Sequence, residues 1–283
     1  MAFAPKPQYY TGMTFSYFSR GGVVLPIAQA TVPLASIEYS YGYGVYETIR
    51  VSHGIARFVD EHCRRLDLSA QAIGLEHSYQ PSEIEQYITD LITANEVETC
   101  NIKVLLIGGK TAADAELYIL CLAPYFVERK LYKTGCHCTT YEYERVYPHA
   151  KTLNMLPSYL AYRDAAKNGA HDSLLINRRG EITEGTRSNF FTLKDNTIYS
   201  PPEEDILLGV TRDHVLKLAK EQGFEIVHRP ILLDSLSSYD AAFLTSTSAK
   251  ILPIRSVNDF TFGELTLPLR NLIHIFSAMH ESN

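Results

Sequence analysis

The chain has 283 residues, 46% of them hydrophobic and 20% charged, with a formal net charge of −6 and a pI near 5.9. That length holds roughly two domains of ordinary size, each with its own core. The acid excess argues against a binder of phosphate backbones, which would carry a basic face or stripe, and leaves small molecules or a second copy of the chain as the simplest partners.

The opening MAFAPKPQYYTGM lacks a basic segment followed by an apolar one, so it does not read as a secretory signal. The apolar run GGVVLPIAQATVPLA is cut by Pro26 and Pro33 and is too short to span a bilayer. The expected location is the cytoplasm, with no membrane contact. Residues 12–59 alternate in the manner of strands, punctuated at Gly21-Gly22 and Gly54. In YGYGVYETIRV, Tyr41, Tyr43, Val45, Glu47, Ile49 and Val51 point one way and Tyr46, Thr48 and Arg50 the other. Tyr46 and Arg50 therefore share a face, and on residues alone Arg50 reads as a solvated edge. DEHCRRLDLSAQAIGL reads as a helix capped by Asp60 and ended by Gly74, burying Leu66, Ser69, Ala70 and Ile73. Arg65 lies beside that stripe, with Asp60 or Glu61 as its plain partner. PSEIEQYITDLITAN is a second helix, with Pro81 in its first turn and Ile84, Tyr87, Ile88, Leu91 and Ile92 on one face. NIKVLLIGG and ELYILCLA read as strands. The GGKTAADAE between them has the Gly-Lys-Thr ending of a phosphate loop, but Val104 stands where its first Gly belongs, which argues against nucleotide hydrolysis.

APYFVERKLYK has no clear period, so the expected organisation is an N-terminal α/β domain over residues 1–123, a linker over 124–134 and a C-terminal α/β domain over 135–283. Five cysteines, at 63, 100, 121, 136 and 138, show no CxxC spacing and fit a reducing compartment as free thiols. Cys136-His137-Cys138 alternates within a Thr/Tyr-rich run and reads as a strand; no metal is expected. The extended CTTYEYERVY then gives way to a helical segment over residues 155–168, with Lys151 at the junction, a place where a lysine is usually solvated. SLLIN, RRG and EIT read as strand, turn and strand, ending at Glu184 and Gly185. An amine and a single carboxylate so arranged suggest a Schiff-base site, the amine holding an aldehyde and the acid a ring nitrogen. SNFFTL and TIYS form a hairpin about Lys194-Asp195-Asn196. PPEEDILLGVTRDHVLKLAKEQGF is a loop and a helix closed by Gly223, whose first N–H groups, those of Val210 and Thr211, make an anion-attracting end. YDAAFLTSTSAKILPI is a strand entering a turn of Ser246, Thr247 and Ser248, and ELTLPLRNLIHIFSAMHE a packing helix begun or kinked at Pro268.

The block EGTRSNFF, with Lys151 upstream in AKTLNML and with LLGVTR and FLTSTSAKILPI downstream, resembles the class IV (fold type IV) pyridoxal-phosphate aminotransferases. That group includes branched-chain and D-amino-acid aminotransferases and aminodeoxychorismate lyase. The resemblance runs from about Tyr39 to Val257 and implies an α+β fold of two α/β subdomains, similar to that of D-amino-acid aminotransferase. It also implies a homodimer with its pocket at the subunit interface, and pyridoxal 5'-phosphate as the cofactor. On this resemblance Lys151 carries the cofactor and later moves the substrate proton, for which it must be neutral, and Glu184 faces the ring nitrogen. Arg65, in EHCRRL, corresponds to a phosphate ligand, and Leu207, Val210, Thr211, Ser246 and Thr247 to further cofactor contacts. Tyr41, Tyr46, Arg50, Lys103 and Ser248 correspond to the substrate side, with Arg50 a bidentate grip on a carboxylate.

The pocket residues are a mixture of subgroups. Leu156 stands where many branched-chain members have Tyr, and Asn154 is similar to the D-amino-acid and lyase subgroups. ETIR looks like the branched-chain strand, whose YIR appears here as Asn101-Ile102-Lys103. Gly108 replaces an Arg of D-amino-acid members, and Thr48 resembles a lyase residue. The expected activity moves an amino group between an amino acid, branched-chain-like or D, and a 2-oxo acid. The alternative is aminodeoxychorismate lyase, releasing pyruvate and 4-aminobenzoate.

Overall fold

The computed structural model describes residues 14–281, which fall into two units: 14–125 with 149–155, and 126–148 with 156–281. The segment that carries Lys151 groups with the first unit, not with the C-terminal part to which the sequence assigns it. Backbone pairing, described below, is the reason.

In the first unit the alternating stretches become β1 (Tyr17–Arg20), β2 (Val23–Pro26), β3 (Gly44–Ser52), β4 (Ile55–Ala56), β5 (Thr99–Ile107) and β6 (Glu116–Leu122). They form an antiparallel sheet in the order β2-β1-β6-β5-β3-β4. The run of strands expected before residue 59 is interrupted by a 3-10 turn at Ile27–Gln29 and by a helix, α1 (Ile37–Tyr41), that ends on Gly42 with φ of 69°. Tyr41 therefore sits at a helix end, 81% exposed, and not on the strand. Val45, Ile49 and Val51 of β3 and Ile102, Val104 and Leu106 of β5 form one apolar face. Against it pack α2 (Val59–Ala72), through Cys63, Leu66 and Ala70, and α3 (Pro81–Ala94), through Ile84, Ile88 and Leu91. α3 keeps Pro81 in its first turn and adds a Gln80–Glu83 capping box. α2 starts two residues early, after Phe58 in a left-handed conformation, so Asp60 is a first-turn residue paired with Arg64 at 2.5 Å and not the cap. On the opposite face of β3 stand Tyr46, Thr48 and Arg50, set by register beside Leu105, Lys103 and Asn101.

The second unit has α4 (Leu131–Thr134), β7 (Cys136–Glu142), α5 (Leu156–Lys167), β8 (Asp172–Ile176), β9 (Ile182–Gly185) and β10 (Asn189–Lys194). There follow β11 (Thr197–Ser200), α6 (Val210–Glu221), β12 (Glu225–His228), β13 (Ala241–Ser246), β14 (Lys250–Val257), β15 (Phe260–Thr261) and α7 (Leu267–Glu281). The sheet order is β12-β11-β10-β13-β14-β7-β8-β9, with β15 on β14. β7 runs parallel to β8 and β14, a pairing that needs the α5 crossover between β7 and β8. One pair, Asn189 with Glu184, joins β10 to β9 and closes β10-β13-β14-β7-β8-β9 into a ring. Phe191 and Phe243 stack at 4.9 Å in the core, beside Val215 and Leu216 of α6 and Leu269, Leu272 and Phe276 of α7.

Phe191 is wholly buried, so Phe191→Ala is expected to destabilise the protein by about 3–5 kcal/mol, read as a lower urea midpoint. A loss below about 1 kcal/mol would remove the stack from the core that supports β10.

Candidate active site

Residues 149–155 lie along β3. The Tyr46 N–H donates to the Lys151 carbonyl at 2.9 Å, the Leu153 N–H donates to the Gly44 carbonyl at 2.9 Å, and Val45 pairs with Thr152. The Lys151 N–H donates to Ser69 Oγ of α2 at 3.1 Å. Close approach here requires Gly44, since a Cβ there would lie 2.7 Å from the Leu106 carbonyl oxygen and 2.9 Å from Leu153 Cδ1. Antiparallel pairing sets Lys151 opposite Tyr46 with both side chains on one face. Accordingly Lys151 Nζ is 4.7 Å and Lys103 Nζ 3.4 Å from the Tyr46 ring centroid, both within cation–π range. Burial pushes the Lys103 amine down to about 8; the Tyr46 phenol opposes this and the charge of Lys151 adds to it.

On the opposite face of β3, Glu47 is 1% exposed. Arg65 Nε and Nη2 donate to its two carboxylate oxygens at 2.7 and 2.8 Å, and His62 Nδ1 lies 2.7 Å from Oε2. Burial works against the Glu47 charge, but Arg65 and His62 outweigh it and hold the carboxyl well below the usual carboxylate range. The bidentate contact fixes the plane of the guanidinium. Arg65 thus takes Glu47 as a partner that the sequence reading did not name. The signal in the sequence was an acid on the apolar side of an alternating strand, together with His62 and Arg65 three apart on one helix face.

In the second unit Glu184, on β9, is 2% exposed. Its Oε1 lies 2.5 Å from Arg145 Nε, and the Leu207 N–H approaches Oε2 at 3.4 Å. Asn189, its partner across the ladder, donates from Nδ2 to the Leu207 carbonyl at 2.7 Å. Glu184 and Asn189 therefore grip both backbone groups of Leu207, two residues before Gly209, the N-cap of α6. A Cβ on Gly209 would fall 2.2 Å from Asn189 Oδ1. No side chain of the N-cap residue closes this helix start, where Val210 and Thr211 supply the leading N–H groups. The EGTRSN segment is braced on Asp172, to which Thr186 Oγ1 and Ser188 Oγ donate at 2.5 and 2.8 Å. In the hairpin between β13 and β14, the Ala249 N–H donates to Ser246 Oγ at 3.1 Å, Lys250 is left-handed at φ of 57°, and Thr247 and Ser248 stay partly exposed.

The structure brings Tyr46, Lys103 and Lys151 together on one face of β3, with Thr48 and Arg50 farther along it, and places Arg65 with Glu47 on the other. It gathers Glu184 with Leu207 in the second unit, next to the Val210–Thr211 helix start. Arg145, Glu47, His62 and Asn189 were missed as site residues because their partners are distant in sequence. The first unit thus offers an amine and an oriented guanidinium, and the second a buried carboxylate with a cationic partner and an open helix start, each of a kind that a phosphorylated heterocyclic aldehyde takes.

The model of the family described as amino-transferase class IV matches residues 44–257. The D-alanine aminotransferase of Bacillus licheniformis is 31% identical over 252 residues, covering 86% of this chain and 88% of its own length. A putative branched-chain-amino-acid aminotransferase of Methanocaldococcus jannaschii is 31% identical over 249 residues, covering 81% and 85%. Among solved structures, the branched-chain amino acid aminotransferase of T.th., complexed with N-(5'-phosphopyridoxyl)-L-glutamate, matches with a TM-score of 0.84 at 26% identity, covering 94% of each chain.

Glu47→Gln breaks a buried ion pair and is expected to cost about 3–5 kcal/mol at pH 7. A carboxylate with a depressed pKa adds stability above its ordinary value of 4.5 and loses it as the pH falls toward the folded-state value. The stability gap between wild type and Glu47→Gln should therefore narrow as urea denaturation is repeated from pH 7 down to about pH 3. A gap that stays constant would show that Glu47 is not held ionised by Arg65 and His62.

Proposed function

Because the chain belongs to the class IV aminotransferases, enzymes that move an amino group between an amino acid and a 2-oxo acid, we propose that Lys151 is the amine on which that transfer turns. The observation that carries this is the pairing of residues 149–155 with β3, which fixes the Lys151 backbone between Tyr46 and Ser69. The family works through pyridoxal 5'-phosphate, and the donor set suits it. That cofactor supplies an aldehyde that condenses with amines and a pyridinium ring that draws electrons from the substrate carbon.

The remaining roles belong to the chain itself. Lys151 Nζ, uncharged, would take the proton from the amino acid's α-carbon and, in the opposite half of the transfer, supply one to the α-carbon of the 2-oxo acid. Glu184 holds the proton on the ring nitrogen, its carboxylate oriented by Arg145 and the Leu207 N–H. Arg65, kept in place by Glu47, would be one phosphate contact, and the Leu207, Val210 and Thr211 turn and Ser246 and Thr247 would be further cofactor contacts. Tyr41, Tyr46, Arg50, Lys103 and Ser248 contact the substrate, Arg50 through its carboxylate. We read the enzyme as a cytoplasmic homodimer. Its five cysteines are free, as suits a reducing compartment, and no helix among the described residues is long and apolar enough to cross a membrane. The relatives are named aminotransferases, which does not favour the lyase alternative, and their names make D-alanine and branched-chain amino acids the first substrates to try.

An absorbance spectrum of the purified protein with pyridoxal 5'-phosphate, before and after single L- and D-amino acids, tests this function. The expected result is a visible band that one class of amino acid bleaches, that is absent in Lys151→Ala, and that bleaches about 10²-fold more slowly in Glu184→Gln. A band unchanged in Lys151→Ala would overturn the role of Lys151, and unchanged bleaching in Glu184→Gln that of Glu184.

A further inference from the structure

Lys103 enters the function above only as a substrate contact, yet its position addresses a problem that Lys151 faces. A lysine is ordinarily charged at neutral pH, and only its uncharged form has the lone pair that attacks an aldehyde or takes a proton. Burial and a neighbouring cation are two means by which a protein removes that charge. Here both amines lie against one ring, Lys103 Nζ at 3.4 Å and Lys151 Nζ at 4.7 Å from the centroid of Tyr46. Two points so placed are at most about 8 Å apart, close enough for unit charges in a half-buried setting to repel each other through little screening water.

We propose that Lys103 is a positioning residue for the Lys151 amine: a second ammonium held on the same ring makes the charged form of Lys151 unfavourable and keeps its lone pair available. This rests on Lys151 being the reactive amine. Repulsion is mutual, so the geometry must also say which lysine yields its proton. Lys103 has the closer cation–π contact, and although burial pushes its amine down to about 8, that leaves it mostly charged at neutral pH. The titratable groups acting on Lys103 come from two elements, Tyr46 and Glu47 from β3 and Lys151 from the paired segment. Glu47 is committed to Arg65 and His62 on the far side of the strand. The cross-strand neighbours of Lys103, Thr48 on β3 and Leu120 on β6, carry no charge. Among the described residues Lys103 has no ion-pair partner within 4 Å.

The test measures the titration of Lys151 in the full chain, without cofactor, by ¹³C-dimethyl labelling of lysines and NMR. The Lys151 resonance is assigned by its loss in Lys151→Arg. Lys103→Met should raise the Lys151 midpoint by about one pH unit, a tenfold fall in its uncharged fraction at neutral pH, because a repelling charge is gone. Lys103→Arg, which keeps the charge, should leave the midpoint where it is or lower it. Lys103→Gln serves as a second neutral variant should Lys103→Met fold poorly. An unmoved midpoint in the neutral variants overturns the proposal, as does an equal rise in Lys103→Arg, which would mark a packing effect. Because the readout needs no bound pyridoxal phosphate, a chain that fails to take up that compound contradicts the cofactor reading while leaving this result interpretable.

Discussion

The segment of residues 149–155 is held to one strand by two backbone hydrogen bonds, from Tyr46 to Lys151 and from Leu153 to Gly44. A backbone N–H or C=O in a partly buried edge must find a partner, and β3 offers a fixed row of them. β4 satisfies that edge near Val51 and Ser52, while the Lys151 segment satisfies it near Gly44 and Tyr46. The position of a flexible lysine is in this way set by ladder geometry, with no reliance on its own side chain. Gly44 is the condition for it, because a side chain there would strike both β5 and Leu153.

From that constraint the division of labour on β3 follows. Period-two alternation sends Val45, Glu47, Ile49 and Val51 toward α2 and α3, and Tyr46, Thr48 and Arg50 toward the face that Lys151 shares. Glu47 would be costly as a lone charge in an apolar layer, and it persists because Arg65 and His62 compensate it. In return it orients a guanidinium that would otherwise have many rotamers. The second unit uses the same economy at Glu184, whose neighbours Arg145, Leu207 and Asn189 tie β9, β10 and the approach to α6 into one polar cluster.

Much of this was legible from residue patterns. The α3 stripe, the β5–β6 hairpin, the Asp195 turn and the Gly223 stop are local, and local physics decided them. EGTRSNFF marked its own importance, and the structure gives the reason: Thr186 and Ser188 hang on Asp172, and Asn189 fixes Leu207. What escaped was set partly by local backbone turns and partly by contacts between residues remote in sequence. Tyr41 continued an alternating pattern on paper, but Gly42 turned the chain and left it on a helix. Asp60 looked like a cap, while Phe58 reached the left-handed region and started α2 earlier. Arg145 and Glu47 carry no motif, since their roles exist only once Glu184 and Arg65 have been brought to them. The grouping of Lys151 with the first unit could not be read from position along the chain, because an edge pairing is not a local property.

Two amines on one ring, Lys151 and Lys103, are candidates for covalent chemistry, and Lys151 is the one proposed. Borohydride trapping of pyridoxal 5'-phosphate on the purified protein, followed by peptide mapping, tests it most directly. The expected result is a single labelled peptide whose modified residue is Lys151. Label on Lys103, or spread over surface lysines, would contradict it.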